Sequence, residues 1–341
     1  MDEIRPAPRE KPGKAIINLF ASEKRRPSSR TYGIFAALTS AMFFGMTPIF
    51  GKQAILSGLS PFGVVAIRTS LAFILLLLVM LVFYRSFLYI YPTGLLGCLL
   101  AGLINGIGSL FYYSSLGRIE ASVGQLLYSL YPLFLLLWLT LDQQLPGKLT
   151  LVRLGLAITA AYLLIHTGEQ PIDLVGVIFM LIASALYALH IPINQRVLLD
   201  MPAPTVTAYT LMAMSIVVVP TYFIMGSGAI PESSQTWLPV LGLTLVTFFS
   251  RLTLFLGVKH LGGMQTALLG LSEILITLFF AYVWLGERFS LIQWIGTGLM
   301  VASLMLVVFD KPPVKKHPSK GWLSWLRPPT SPADIPWQPH G

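Results

Sequence analysis

Charge is what this sequence has least of. Only 11% of its 341 residues are charged, whereas hydrophobic residues make up 55% and the mean hydropathy is +0.74. A soluble domain usually carries about a quarter charged residues. A chain with so little polar surface would aggregate in water, so we expect lipid to cover it. The sequence therefore predicts an integral membrane protein.

Cysteine and catalytic motifs are also scarce. The single cysteine, Cys98, excludes an intramolecular disulfide and a cysteine-cluster metal site. No HExxH, GxSxG, P-loop or GxGxxG motif occurs. The five histidines lack the spacing of metal ligands: His166, His190, His260, His317 and His340. We therefore expect no catalytic residues, no metal, no cofactor and no direct hydrolysis of ATP.

The net charge of +9 is concentrated at the two ends of the chain. Basic residues precede the first apolar segment and follow the last one: Lys11, Lys14, Lys24, Arg25, Arg26 and Arg30, then Lys311, Lys315, Lys316, Lys320 and Arg327. Because they adjoin apolar spans, they indicate anchoring at an anionic leaflet of the lipid bilayer, and we do not expect nucleic acid as a partner.

Long apolar runs organise the rest of the chain. Crossing the hydrocarbon core takes about 20 residues at about 1.5 Å each. Such runs predict ten transmembrane helices, near 32–52, 62–84, 93–116, 121–141, 149–167, 172–195, 205–226, 238–258, 264–284 and 290–309. The predicted division is a basic cytoplasmic tail at 1–31, five-helix repeats at 32–168 and 169–310, and a basic tail with proline and tryptophan at 311–341.

Internal similarity supports the division into repeats. A shift of 141 positions places the apolar run 126–141 on 267–282, and a shift of 144 aligns Ser40-Ala41 with Ser184-Ala185, Pro48 with Pro192 and Lys52 with Arg196. Five is an odd number, so the second repeat must enter the membrane from the opposite side, which gives inverted repeats. Both termini then lie on one side, and the basic tails place that side in the cytoplasm of a plasma-membrane protein.

Several short motifs recur through the apolar part of the chain. In the first half they are Ser40-Ala41…Phe44-Gly45…Lys52, Pro61…Arg68, Leu116-Gly117-Arg118-Ile119-Glu120-Ala121 and Tyr131-Pro132; in the second half they are Ala267…Glu273, Leu285-Gly286-Glu287-Arg288-Phe289 and Trp294-Ile295-Gly296. These motifs resemble the EamA-type drug/metabolite transporter superfamily, and the resemblance covers about residues 31–310. It implies a ten-helix carrier of small metabolites, often an exporter of amino acids or other organic solutes.

The chain departs from the family pattern at three places. Phe44-Gly45 stands for the usual Trp-Gly pair, and Gln143-Gln144-Leu145 stands where a Leu-Gly-Glu corner is expected. In the ninth helix the usual Glu-Pro pair reads Glu273-Ile274. Because the proline is missing, the expectation that this helix is broken at the binding site is weakened.

Polar residues recur at helical spacing within the apolar runs, which places them on one face of each helix. In lipid such faces turn toward other helices or toward water, so together they could line a cavity, although hydrogen bonding between helices is the more ordinary use of any one of them. The candidate substrate-binding residues are Phe44, Thr47, Asn105, Ser109, Tyr112, Gln125, Tyr128, Tyr187, His190, Thr247, Arg251 and Glu273.

Three charges lie deep in predicted helices. Glu273 and Arg251 have similar depths on adjacent helices, so we expect them to pair or to share a hydrated cavity, either at the substrate site or as a structural ion pair. Arg68 is interpreted as a packing anchor that pairs with Glu120 or Glu287.

The sequence thus predicts a secondary transporter that moves an amino acid or similar solute by alternating access, with export as the expected direction. Proton coupling through Glu273 and uncoupled uniport fit equally well. A channel-like pathway remains an alternative, and an intramembrane enzyme is a weaker one. Substrate, coupling ion and oligomeric state are not readable from the sequence.

Overall fold

The computed structural model describes residues 29–119, 121–142, 147–165, 173–225, 234–285, 291–309 and 321–326, and every regular element in these ranges is helical. The α-helices are α1 (Ser29–Gly45), α2 (Thr47–Leu56), α3 (Pro61–Phe83), α4 (Pro92–Leu116), α5 (Ala121–Tyr128), α6 (Tyr131–Leu141), α7 (Lys148–Ile165), α8 (Leu174–Leu198), α9 (Ala203–Met225), α10 (Ser234–Leu261), α11 (Gly263–Gly270), α12 (Ser272–Leu285) and α13 (Leu291–Met305). Short 3₁₀ turns follow α3 and α13, at Arg85–Leu88 and Leu306–Phe309.

The fold is that of an all-α integral membrane protein. Within the described ranges six helices are long and apolar enough to cross a membrane: Arg30–Leu56 (α1 with α2), α3, α4, α8, α9 and Trp237–Leu261 of α10. The other predicted spans coincide with shorter or divided helices, so the count of ten spans stays a prediction. The described residues do not include Glu120, Gln143-Gln144-Leu145, Gly286-Glu287 of the Leu-Gly-Glu corner, or the basic residues of the two tails other than Arg30.

Three predicted spans are interrupted. The first divides at Met46, the fourth at Ser129-Leu130 and the ninth at Leu271. Pro48 and Pro132 explain the first two breaks, because proline has no N–H to donate to the carbonyl four residues earlier.

The ninth predicted span is interrupted at Leu271 although it has no proline there. Ile274 in place of the usual proline was expected to make a break in this span less favoured, and that expectation is corrected. The hydroxyl of Tyr131 donates to the Ala267 carbonyl at 2.7 Å, which gives that carbonyl a partner from another helix. Leu271 lies 141 positions after Leu130, so the shift that relates the two halves also relates their interruptions.

The first helices of the two halves, α1 and α8, run in opposite directions. At one end of the bundle, the ring of Tyr32 near the start of α1 meets His260 of α10 edge to face, with centroids 5.2 Å apart. Gln195, near the end of α8, accepts a hydrogen bond from the Gly263 amide at 2.8 Å at the same end. The first helix of one half therefore starts where the first helix of the other half finishes.

Part of the C-terminal tail packs against this same end of the bundle. In residues 321–326, Leu323 and Leu326 are buried beside α8 and α4, whereas Trp322 and Trp325 are exposed. The Leu323 amide donates to Asp142 at 3.2 Å. The described part of the tail is thus packed against the bundle through its two leucines.

Asp142 anchors this contact through a buried ion pair. Its Oδ2 accepts from Arg196 Nη2 at 2.6 Å and from Arg196 Nε at 3.1 Å, and both side chains are almost fully buried. Arg196 and Asp142 thus join the ends of α8 and α6 to the tail.

We expect Asp142→Asn to lower the free energy of unfolding by about 3–5 kcal/mol, because Arg196 would keep a buried charge without its partner. The measurement is denaturant unfolding of the purified protein in detergent. The matched control is Arg118→Gln, which breaks the exposed 3.2 Å pair between Arg118 and Asp173 and should change stability by about 1 kcal/mol or less. Equal effects of the two variants would contradict the assignment of Asp142 as an anchor.

Candidate functional site

A small cavity lies between the two halves, where the three interruptions meet. Phe44 and Thr47 flank the break at Met46, Tyr128 precedes the break in the fourth span, and Glu273 follows Leu271. The full lining is Phe44, Thr47, Arg68, Asn105, Gly108, Ser109, Tyr112, Tyr113, Gln125, Tyr128, Ala183, Tyr187, Arg251 and Glu273. The volume is about 30 Å³, which is room for about two water molecules.

Ten of the twelve candidate residues line this cavity, and two do not. His190 and Thr247 contact the lining arginines from behind: His190 touches Arg251, and Thr247 touches Arg68. The sequence reasoning missed Arg68, Gly108, Tyr113 and Ala183 as lining residues. Arg68 could have been identified as a lining residue from its charge within an apolar run, whereas the sequence gives no such signal for Gly108 and Ala183. That any of these residues binds a substrate stays a prediction.

Arg251 is held by neutral groups. With the Asn105 amide oriented so that its oxygen faces the guanidinium, Oδ1 accepts from Nη1 and Nη2 of Arg251, both at 3.0 Å. The guanidinium also lies over the rings of Phe44 and Tyr187, 5.3 and 5.5 Å from their centroids. Such contacts fix the side chain without neutralising its charge.

His190 supports Arg251 as a neutral imidazole. Its Nδ1 meets the Tyr187 carbonyl, which can only accept, so Nδ1 carries the proton. Its Nε2 then accepts from Arg251 Nη1 at 3.3 Å. Since His190 is fully buried, its role in this arrangement is to position the arginine.

Arg68 has the same kind of surroundings. Its Nη1 donates to Thr247 Oγ1 at 2.8 Å, and its guanidinium lies 4.8 Å from the centroid of the Tyr113 ring. Thr247 is one turn before Arg251 on α10, so α10 fixes both arginines. The predicted partners Glu120 and Glu287 lie outside the described residues.

Glu273 and Arg251 both line the cavity. Of the two alternatives drawn from the sequence, an ion pair or a shared cavity, this arrangement agrees with the shared cavity. No ion pair within 4 Å joins them among the described side chains. Glu273 is buried, 5% exposed, and its Oε1 has no hydrogen-bond partner in the described part of the chain.

Aromatic rings form one wall of the cavity. Tyr128 contacts Tyr112 and Tyr187, with centroids 4.9 and 5.1 Å apart, and Tyr131 meets Tyr187 edge to face at 5.0 Å. These rings come from α4, α5, α6 and α8, so both halves contribute to the wall.

Unsatisfied polar atoms cluster at the cavity. Among the described residues, five lining side chains have a buried nitrogen or oxygen without a partner: Arg68 Nε, Tyr113 Oη, Gln125 Nε2, Arg251 Nε and Glu273 Oε1. Buried polar groups are normally hydrogen-bonded, so these atoms are suited to contact water or a polar ligand. In the same ranges no group of three or more histidine, cysteine, aspartate or glutamate residues could hold a metal ion.

These features define an all-helical membrane protein with a polar cavity between two related halves, an arrangement used by transporters of small molecules. The EamA-like transporter family matches the sequence twice, at residues 31–166 and 174–309. The protein belongs to the EamA-like transporter family, and the resemblance inferred from its motifs is confirmed.

Two further comparisons agree with this assignment. "Uncharacterized transporter YcbK" of Bacillus subtilis (strain 168) is 23% identical over 290 residues, which cover 82% of this chain and 93% of that protein. A solved crystal structure superposes with a TM-score of 0.66 over 82% of this chain and 97% of the other, at 16% identity. The second likeness shows the fold alone. The protein is therefore a membrane transporter of the drug/metabolite type.

The contact between Tyr131 and the break at Leu271 can be tested by a double-mutant cycle. A Cβ added at Gly270 would collide with the Tyr131 hydroxyl. We expect Gly270→Ala to destabilise the protein by about 1–3 kcal/mol through overpacking, and Tyr131→Phe by about 1 kcal/mol through the lost hydrogen bond. Unfolding in detergent gives both values.

In the Tyr131→Phe background the added methyl group no longer meets a hydroxyl, so Gly270→Ala should be much less harmful there. Gly298→Ala is the control, because nothing lies within 4 Å of its added Cβ and it reports the gain in helix propensity by itself. Additive effects of the two cycle variants would show that the hydroxyl does not set the break.

Proposed function

We propose that the protein is a secondary transporter that exports a small organic solute across the plasma membrane by alternating access. The observation that carries this proposal is one polar cavity lined from both halves, at which the interrupted helices meet. A site between two repeats is exposed to each side of the membrane in turn when one repeat rocks against the other. The twelve candidate residues form or support this site.

The proposal includes the topology of ten spans in two inverted five-helix repeats with both termini in the cytoplasm. The opposite directions of α1 and α8 support the inversion. The position of residues 321–326 beside Arg196, at the end where α1 starts, supports termini on a common side. The basic residues of the two tails favour the cytoplasm.

The size of the cavity supports a carrier that changes shape. At about 30 Å³ it is far smaller than the roughly 300–1,000 Å³ of ordinary ligand pockets. An organic solute can enter only if the two halves separate, which is the motion that alternating access requires. A channel for such solutes would need a much wider and continuous path.

Flux of radiolabelled solutes into proteoliposomes, across a panel of metabolites, tests the function. A carrier gives saturable flux and exchange of labelled for unlabelled solute across the membrane. Flux that never saturates would indicate a channel, and covalent change of a solute would indicate an enzyme. Uptake into inside-out membrane vesicles measures the direction of export.

Proton coupling through Glu273 predicts a specific defect. We expect Glu273→Gln to abolish accumulation driven by a pH gradient while exchange at equal pH continues, because the amide cannot carry a proton between the two states. Asp173→Asn is the control: it also replaces one carboxylate by an amide, outside the cavity, and asparagine caps a helix as well as aspartate does. If transport by the wild-type protein does not depend on the pH gradient, proton coupling through Glu273 is excluded.

A further inference from the structure

The residues around the cavity carry an unbalanced charge. Arg68 and Arg251 are cations, and Glu273 is the one carboxylate among the lining residues. All three are at least nine-tenths buried, with exposed fractions of 4%, 3% and 5%. The lining therefore has a net charge of +1 with Glu273 ionised and +2 with Glu273 protonated, so it is positive in either state.

Neither arginine is neutralised by the groups that hold it. Thr247 and the Tyr113 ring contact Arg68, while Asn105, His190 and two aromatic rings contact Arg251. Each of these partners is uncharged. The Nε atoms of both arginines have no hydrogen-bond partner in the part of the chain that the structure describes.

An uncompensated guanidinium in a low-dielectric interior is strongly unfavourable. A ligand with one negative charge would neutralise the cavity. A zwitterion would leave the net charge unchanged, and a cation would increase it. Carboxylates suit the vacant donors best, because an arginine edge binds the two oxygens of a carboxylate in parallel.

The geometry points to a small organic monocarboxylate as the transported substrate, with its carboxylate held by Arg251 and Arg68 and its apolar body against the tyrosine wall. This inference rests on the proposed transport function. The wall formed by Tyr112, Tyr128 and Tyr187 offers ring faces and edges for an aromatic or aliphatic body. Since Arg68 belongs to the first half and Arg251 to the second, the bound carboxylate would link the two halves.

The test uses four compounds with one phenyl body and different charges: 3-phenylpropanoate, its neutral amide, the zwitterion phenylalanine and the cation 3-phenylpropylamine. Binding to the purified full-length protein in detergent is measured at pH 7.5 by isothermal titration calorimetry. We expect the carboxylate to bind at least about tenfold more tightly than the amide, a difference of about 1.4 kcal/mol. Phenylalanine should bind more weakly than the carboxylate, and the amine should not bind.

Arginine variants locate the effect. We expect Arg251→Gln and Arg68→Gln each to reduce the preference for carboxylate over amide by about tenfold or more. The ratio of the two dissociation constants is the readout, because it does not depend on the folded fraction of each preparation. Arg85→Gln, which removes an exposed arginine at the end of α3, should leave the ratio unchanged.

The outcomes separate this inference from the function on which it rests. Equal binding of carboxylate and amide, tighter binding of phenylalanine or of the amine, or no binding of any of the four compounds at millimolar concentration would each overturn the inference. Saturable flux of neutral or cationic solutes in the proteoliposome assay would then still support a transporter. Tight carboxylate binding without flux of any solute would instead overturn the proposed function.

Discussion

In the hydrocarbon region of a membrane no water is available to satisfy a backbone carbonyl, so every helix interruption must find its partners inside the protein. Hydroxyl groups from neighbouring helices contact a backbone carbonyl beside each of the three breaks. Thr277 donates to the Gly45 carbonyl at 2.9 Å, Ser184 to Tyr128 at 3.0 Å and Tyr131 to Ala267 at 2.7 Å. Each bond joins an interrupted helix to another helix, so the breaks are tolerated because the neighbours are in place.

The same constraint determines where the cavity lies. A broken helix brings polar backbone and side-chain groups together at one depth. The first, fourth and ninth predicted spans are interrupted beside the same point. The arginines lie there for a related reason: a charge within lipid is costly, whereas a position between polar helix faces offers donors, acceptors and rings. The cavity is thus a consequence of how the bundle satisfies its polar groups.

How much of this could be predicted from the sequence depends on what a one-dimensional pattern encodes. Hydropathy gives depth, and helical periodicity gives faces, so ten of twelve candidate residues were placed on the lining. The rotation of one helix against another is not encoded in the same way. His190 and Thr247 lie on the right helices, but they point at the arginines and not at the cavity.

The break at Leu271 shows a second limit. A rule based on proline works for Pro48 and Pro132, where the missing N–H is local. In the ninth span no proline lies at the break, and the hydroxyl of Tyr131, 140 positions before Leu271, contacts the Ala267 carbonyl beside it. Either an ion pair or a shared cavity was expected for Arg251 and Glu273 from their depths, because depth alone cannot say whether two side chains on neighbouring helices touch or face a common space.

The small volume and the unbalanced charge have a joint consequence in the proposed carrier. Closing the cavity around two guanidinium groups and one carboxylate removes water from a net positive site, which disfavours the closed form when it is empty. An anion of matching charge removes that penalty, so closure and substrate binding favour each other. A ligand shifts a conformational equilibrium only by its differential affinity for the two forms, and the charge of the lining supplies such a difference. Alternating access then proceeds with the solute bound because the loaded closed form is more favourable than the empty one.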